Sequence, residues 1–139
     1  MIHPSVTSQH ALHLAFCEYL RGKDPKYDWI GFYWMDTEDE ALHLGAYVGA
    51  ATSHTRIPFG RGICGQVALS GKPFVVPDVR VQPNYLACSI ETKSELVMPI
   101  FKEGILVGQL DIDSHSANAF SEEDQTLFKN VCEAVALLL

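Results

Sequence analysis

Trp29-Ile30-Gly31-Phe32-Tyr33-Trp34-Met35 is the stretch on which the fold turns. Aromatic and β-branched residues run there without a polar break, the mark of a strand covered on both faces. The acidic turn Asp36-Thr37-Glu38-Asp39-Glu40 follows and leads into a second strand from Ala41 to Val48, so the pair reads as a β-hairpin. A second hairpin is expected from Ser94 to Phe101 and Ile105 to Asp113, turning across Lys102-Glu103-Gly104. Strands joined mainly by hairpins predict a mostly antiparallel sheet, and the fold class is α/β of the α+β kind.

Outward from these hairpins the chain is helical at both ends. Val6, Ala11, Leu14, Cys17 and Leu20 recur at near-helical spacing and predict a helix from Ser5 to Leu20, stopped by Arg21-Gly22-Lys23-Asp24-Pro25. Ser121-Glu122-Glu123-Asp124 resembles a capping box and opens a last helix through Leu127, Phe128, Val131, Val135 and Leu138. Between the hairpins lie a small-residue loop, Gly49-Ala50-Ala51-Thr52-Ser53-His54, and a short edge-like strand, Thr55 to Phe59, whose Pro58 cannot donate to a central ladder. A helix from Ile63 to Leu69 and a short strand from Lys72 to Val76 come next. Pro77 to Thr92 is the longest irregular stretch, and a loop of that length in a compact domain is usually functional. The terminal helices are expected on one face of the sheet, with Gly49–Thr55 and Pro77–Thr92 roofing a small-molecule pocket on the other.

A chain of 139 residues suits one domain, 1–139, with a substantial core. Its formal net charge of -7, without any cluster of Lys or Arg, argues against nucleic acid or an anionic membrane surface and suits a cationic ligand better. No apolar run reaches secretory or membrane-spanning length, so a cytoplasmic location is expected. The four cysteines, Cys17, Cys64, Cys88 and Cys132, are too irregularly spaced for a disulfide framework or a CxxC motif.

Alternation along Leu110-Asp111-Ile112-Asp113 puts the two aspartates on one face and the two apolar residues on the other. Hairpin pairing brings Glu95 near them. Three converging acids can bind an ammonium group and keep one proton for general-acid use, or they can lie at a solvated strand end. Trp29 and Tyr33 flank Gly31 on one face, either as walls of an apolar slot or as core. Cys88, in the irregular loop, has the accessibility a reactive thiol needs; Cys64, at a helix start beside Arg61, can gain thiolate character from the helix dipole. Cys17 and Cys132 sit on the apolar sides of the terminal helices and are expected to pack. His54, Cys64 and Cys88 with a carboxylate can also be read as zinc ligands, but the spacing matches no closed zinc motif and no metal is expected. His3, His10, His13, His43 and His115 are expected to titrate on the surface.

Arg56-Ile57-Pro58-Phe59-Gly60-Arg61-Gly62-Ile63-Cys64-Gly65 resembles the signature of the GAF-domain free methionine-R-sulfoxide reductases. So do Val76-Pro77-Asp78-Val79, Ala87-Cys88, Ser94-Glu95 and Leu110-Asp111-Ile112-Asp113-Ser114, and Trp29 to Tyr33 resembles that family's aromatic strand. The resemblance implies a GAF-like fold and an oxidoreductase with no bound cofactor. Cys88 would attack the sulfoxide sulfur; Glu95, Asp111 and Asp113 would hold the substrate amino group; Trp29 and Tyr33 would line the S-methyl end. It further implies a second, resolving thiol, recycling by NADPH-linked thioredoxin or another dithiol, and a homodimer. His54 stands where many family members carry the resolving cysteine, which leaves Cys64 as the remaining motif thiol and His54 as a possible aid to Cys88 ionisation. A non-catalytic, sensory GAF binding module is the alternative.

Overall fold

The computed structural model describes residues 1–83 and 91–139. Cys88, with the rest of 84–90, lies outside the described residues.

The seven residues of the aromatic stretch, with Asp36 after them, form β1, Trp29–Asp36, which sits near the middle of a six-stranded sheet. Its neighbours are β2, Ala41–Val48, and β6, Ile105–Ser114; β3, Arg56–Pro58, edges the sheet beyond β2. On the other side, β6 is followed by β5, Ser94–Lys102, and β4, Phe74–Val76. Every pairing is antiparallel, and both expected hairpins are present. The uninterrupted apolar run of β1 has its reason here: all but its last residue are buried, because both faces of the strand are covered.

One face carries Ile30, Phe32, Trp34, Leu96, Met98, Ile100, Leu110 and Ile112. Two helices bury it. The first, α2, is His10–Lys23, and the last, α4, is Glu122–Leu138; Cys17, Leu20, Phe128, Cys132 and Val135 project from them into this core. Cys17 and Cys132 therefore pack, as their spacing implied. Burial pushes the Cys17 thiol up to about 12, and raises Cys132 too, so neither ionises near neutrality. The Ser121–Asp124 capping box forms, and Asp124 also takes a 2.7 Å contact from the Lys26 ammonium and a hydrogen bond from the Tyr27 hydroxyl. Burial alone would raise Asp124; these donors outweigh it and hold the carboxyl at about 2.

Two expectations need correction. The N-terminal helix is not continuous: a single turn, α1, Ser5–Ser8, breaks at Gln9 before α2 begins. The break lets the Ser5 hydroxyl and the Gln9 amide donate to the Leu139 and Leu138 carbonyls, tying the two ends of the chain together. His13, moreover, is not a surface residue. It is 1% exposed, packed against Phe32 and Trp34, with a buried Nε2 that has no partner among the described residues.

Burial, and secondarily the charge of His10, lowers the His13 pKa. The unfolded chain then binds this proton at higher pH than the folded one, so the His13 contribution is present above about 6.5 and is lost as pH falls. A single proton can tilt stability by at most about 1.4 kcal/mol per pH unit. The expected outcome is that His13→Met flattens the decline in urea midpoint between pH 7 and pH 5; identical slopes in the two proteins would exclude His13 as a source.

The opposite face of the sheet carries a second apolar cluster that includes Trp29, Tyr33, Leu42, Val76 and Val97. It is covered in part by α3, Gly62–Ser70, a position the sequence pattern had not assigned to that helix. Ile63, Cys64, Val67 and Ala68 of α3 are all buried, so this helix shows no polar stripe to mark an outer side. Val79–Val81 forms a 3₁₀ turn whose start is capped by Asp78, which accepts from the Arg80 amide.

Gly31 is where the sheet allows a close approach. A Cβ there would overlap the Trp29 ring and come within 2.8 Å of the Tyr47 Cβ. The indole of Trp29 lies over this gap and stacks on Tyr47 at 5.4 Å. Gly31→Ala is therefore expected to displace the indole and destabilise the fold by about 1–3 kcal/mol, read as a lower urea midpoint together with altered tryptophan emission. An unchanged midpoint would show that the ring moves away freely.

Candidate active site

Strand register assembles the site. Glu95 pairs with Asp113, Val97 with Asp111, Trp29 with Asp113 and Gly31 with Asp111. Residues directly opposite in an antiparallel pair share a face, so Trp29, Tyr33, Glu95, Asp111 and Asp113 all point away from the two terminal helices. The expectation from alternation along Leu110–Asp113 is met, but the solvated strand end is not. Glu95, Asp111 and Asp113 are 3%, 0% and 1% exposed.

Cys64 completes the cluster from α3. Its Sγ lies 3.8 Å from Oε2 of Glu95. The turn that delivers it is built from glycines. Gly60 has a φ of +87°, and its amide donates to the Gly65 carbonyl at 2.8 Å; a Cβ on Gly65 would meet the Pro58 carbonyl at 2.8 Å. Larger residues at either place would push α3 off the sheet and withdraw the thiol. Gln109 then fixes the helix start: its Nε2 donates to the Cys64 carbonyl at 3.1 Å. Gln109 is fully buried and was missed from sequence, although it stands two residues before Asp111 on the same face of β6. That period-two continuation was the signal available.

A cavity of about 10 Å³, the room of one water molecule or one ammonium group, opens onto these groups. His54, Ile57, Arg61, Cys64, Glu95 and Asp111 are among its walls. Arg61 is exposed at the N-cap of α3. Among the described residues the thiol thus contacts a carboxylate, that of Glu95, where the sequence had suggested an arginine. Burial, reinforced by the negative charges of Asp111 and Asp113, pushes Glu95 well above the usual carboxylate range. Asp111 is raised as well by burial, partly offset by its neighbours Glu95 and Cys64. Buried like charges this close cannot all ionise, so the cluster holds protons or takes up a cation.

Trp29 and Tyr33 stand on the same face but behind the cavity walls. The indole N–H of Trp29 donates to the Ala50 carbonyl at 3.1 Å, and the Tyr33 hydroxyl to the His54 carbonyl at 2.8 Å. Together they tie the small-residue loop over the sheet and set the position of His54. Two other motif residues are structural. Arg56 forms a bidentate pair with Asp39, holding β3 to the β1–β2 turn, and Asp78 caps the 3₁₀ turn. Among the described residues, Cys64, Glu95, Asp111 and His54 line one cavity; the place of Cys88 relative to them lies outside those residues.

Comparison with known proteins agrees with this architecture. Residues 4–139 match the GAF domain family. The chain is 45% identical over 97 residues to GAF domain-containing protein A of Dictyostelium discoideum, covering 70% of this chain and 60% of that one. It is 37% identical over 98 residues to the free methionine-R-sulfoxide reductase of Escherichia coli, covering 70% and 58%. The matches thus span about three-fifths of these two relatives. Among solved structures, a type II free methionine-R-sulfoxide reductase from Thermoplasma acidophilum superposes with a TM-score of 0.90 at 38% identity, over 95% of this chain and 92% of the other. No helix among the described residues is long and apolar enough to cross a membrane. The chain belongs to the GAF domain family, in the branch that contains the free methionine-R-sulfoxide reductases.

Proposed function

We propose that the protein reduces free methionine-R-sulfoxide to methionine. The observation that carries this reading is the buried convergence of Glu95 and Asp111 with a thiol on one cavity, with buried Asp113 paired to Glu95 on the same face of the sheet. No basic side chain compensates Glu95 or Asp111 among the described residues. An α-ammonium group is the cation of matching size and charge, and a cluster that retains one proton has an acid to give to a sulfoxide oxygen.

In this reading the Cys88 thiolate attacks the sulfoxide sulfur while the acid cluster protonates the oxygen. The oxygen then passes to Cys88 as a sulfenic acid and methionine departs as the thioether. A second thiol condenses with the sulfenic acid, giving a disulfide and one water. A dithiol of the thioredoxin class, charged from NADPH, restores both thiols by exchange. Cys64 is the candidate resolving thiol because it lines the same cavity; His54 is positioned at the wall by Tyr33 and is the candidate group for assisting thiol ionisation. Trp29 and Tyr33 shape the slot through the loop they hold. A whole amino acid exceeds about 10 Å³, so substrate entry requires the cavity to widen. Exposed Phe101 and Leu137, on one continuous surface, are consistent with a homodimer as part of the same proposal.

The test is NADPH oxidation coupled through thioredoxin, run separately with the free R and S sulfoxides and repeated with excess dithiothreitol. Turnover of the R form alone is expected. Failure under both reductants, with methionine still binding, would leave a sensory GAF binding module, the reading that His54 in place of a resolving thiol favours.

A further inference from the structure

We infer that Cys64, Glu95 and Asp111 form a site for a divalent cation of the zinc class, one that shares its seat with the amino-acid ligand. The three side chains come from α3, β5 and β6 and are all buried, and one ligand atom from each lies within 4.8 Å of the others. A tetrahedral zinc bound by one thiolate and one carboxylate oxygen, with metal–ligand lengths near 2.3 and 2.1 Å, needs a sulfur–oxygen edge of roughly 3.6 Å. The Cys64 Sγ to Glu95 Oε2 distance is 3.8 Å.

Asp111 supplies the independent observation. It is fully buried and lines the cavity, and among the described residues its oxygens meet only the cluster's own Glu95 and Cys64, with no donor from any other group. An ionised carboxylate left that way is costly, and a cation at the cavity floor removes the cost. The ligand set selects the ion. A thiolate with two carboxylates suits zinc and its neighbours and disfavours magnesium and calcium, which take oxygen alone. The cavity has room for about one small ion, and His54 is also part of its wall. The second group of possible ligands, Asp36, Asp39 and His43, is a poorer site. There Arg56 holds Asp39 and the chain's amino terminus holds Asp36, and no sulfur is present.

The metal site rests on this geometry alone; its competition with methionine rests on the proposed function. Cobalt(II), a spectroscopic substitute for zinc, is added to the reduced protein. The expected result is one equivalent bound with a thiolate-to-cobalt charge-transfer band in the near ultraviolet. The band should be kept in Cys88→Ser, lost in Cys64→Ser, and shifted to roughly tenfold or more higher cobalt concentration in Asp111→Asn. Circular dichroism establishes that each variant is folded. Absence of a saturable band in the folded parent, or its survival in Cys64→Ser, overturns the site. Free methionine should then displace the cobalt. A band that forms as expected but ignores methionine overturns the shared seat, and with it the ammonium role of the acids, while the metal site stands.

Discussion

Glu95→Gln should give a protein more stable than its parent at pH 8 yet slower in turnover by about a hundredfold or more. Both effects come from one arrangement. Glu95 is buried against Asp111 and Asp113, and its pKa is raised well above the ordinary value of 4.5, first by burial and then by those charges. As pH rises past 4.5 the unfolded chain surrenders this proton while the folded chain keeps it. The folded state therefore loses relative stability with rising pH until its own group ionises. Glutamine removes that penalty at little change in volume, so the urea midpoints should coincide near pH 4 and separate upward. Catalysis moves the other way, because the variant lacks the proton that Glu95 would give to the departing oxygen. An unchanged kcat/KM for the R sulfoxide would remove Glu95 from the site, whatever the stability shows.

The second large effect separates attack from recycling. Cys88→Ser is expected to abolish turnover with every reductant, a loss on the order of 10⁴-fold or more. Cys64→Ser should still release one equivalent of methionine per protein and leave Cys88 as a sulfenic acid, detectable by mass after dimedone trapping. Thioredoxin-linked turnover should fall while dithiothreitol-driven turnover persists, since a small dithiol can reach the sulfenic acid directly. Full thioredoxin-linked turnover in Cys64→Ser would mean that an external thiol resolves Cys88. Such an outcome would fit His54 at the usual place of a resolving cysteine.

Most of the architecture was legible because it is written in short periods. The aromatic run at β1, the two hairpins and the Ser121 capping box depend on neighbours along the chain, and each appeared where the residues put it. What escaped depends on neighbours across the fold. His13 looks like any polar residue of an amphipathic helix; only the rings of Phe32 and Trp34 decide that it is sealed. Alternation at Leu110–Asp113 told which side chains share a face but not whether that face is wet, because the answer comes from α3 lying across it. Cys64 was read with Arg61, its neighbour in sequence, while its neighbour in space is Glu95 from a strand thirty-one residues on. Gln109 was overlooked for the same reason: its partner is the Cys64 carbonyl on another element.

The alternation in β5 and β6 also bears on how this chain can vary over time. Leu96, Leu110 and Ile112 seal one side of the sheet while Glu95, Asp111 and Asp113 face the other, interleaved one by one. Exchanging a single side chain alters one side and spares its neighbour. Inserting or deleting one residue between Gln109 and Asp113 would instead turn carboxylates into the oily interior and leucine and isoleucine into the cavity at one stroke. Lineages of this protein should therefore accumulate substitutions along these strands while gaining and losing length only in the turns between them.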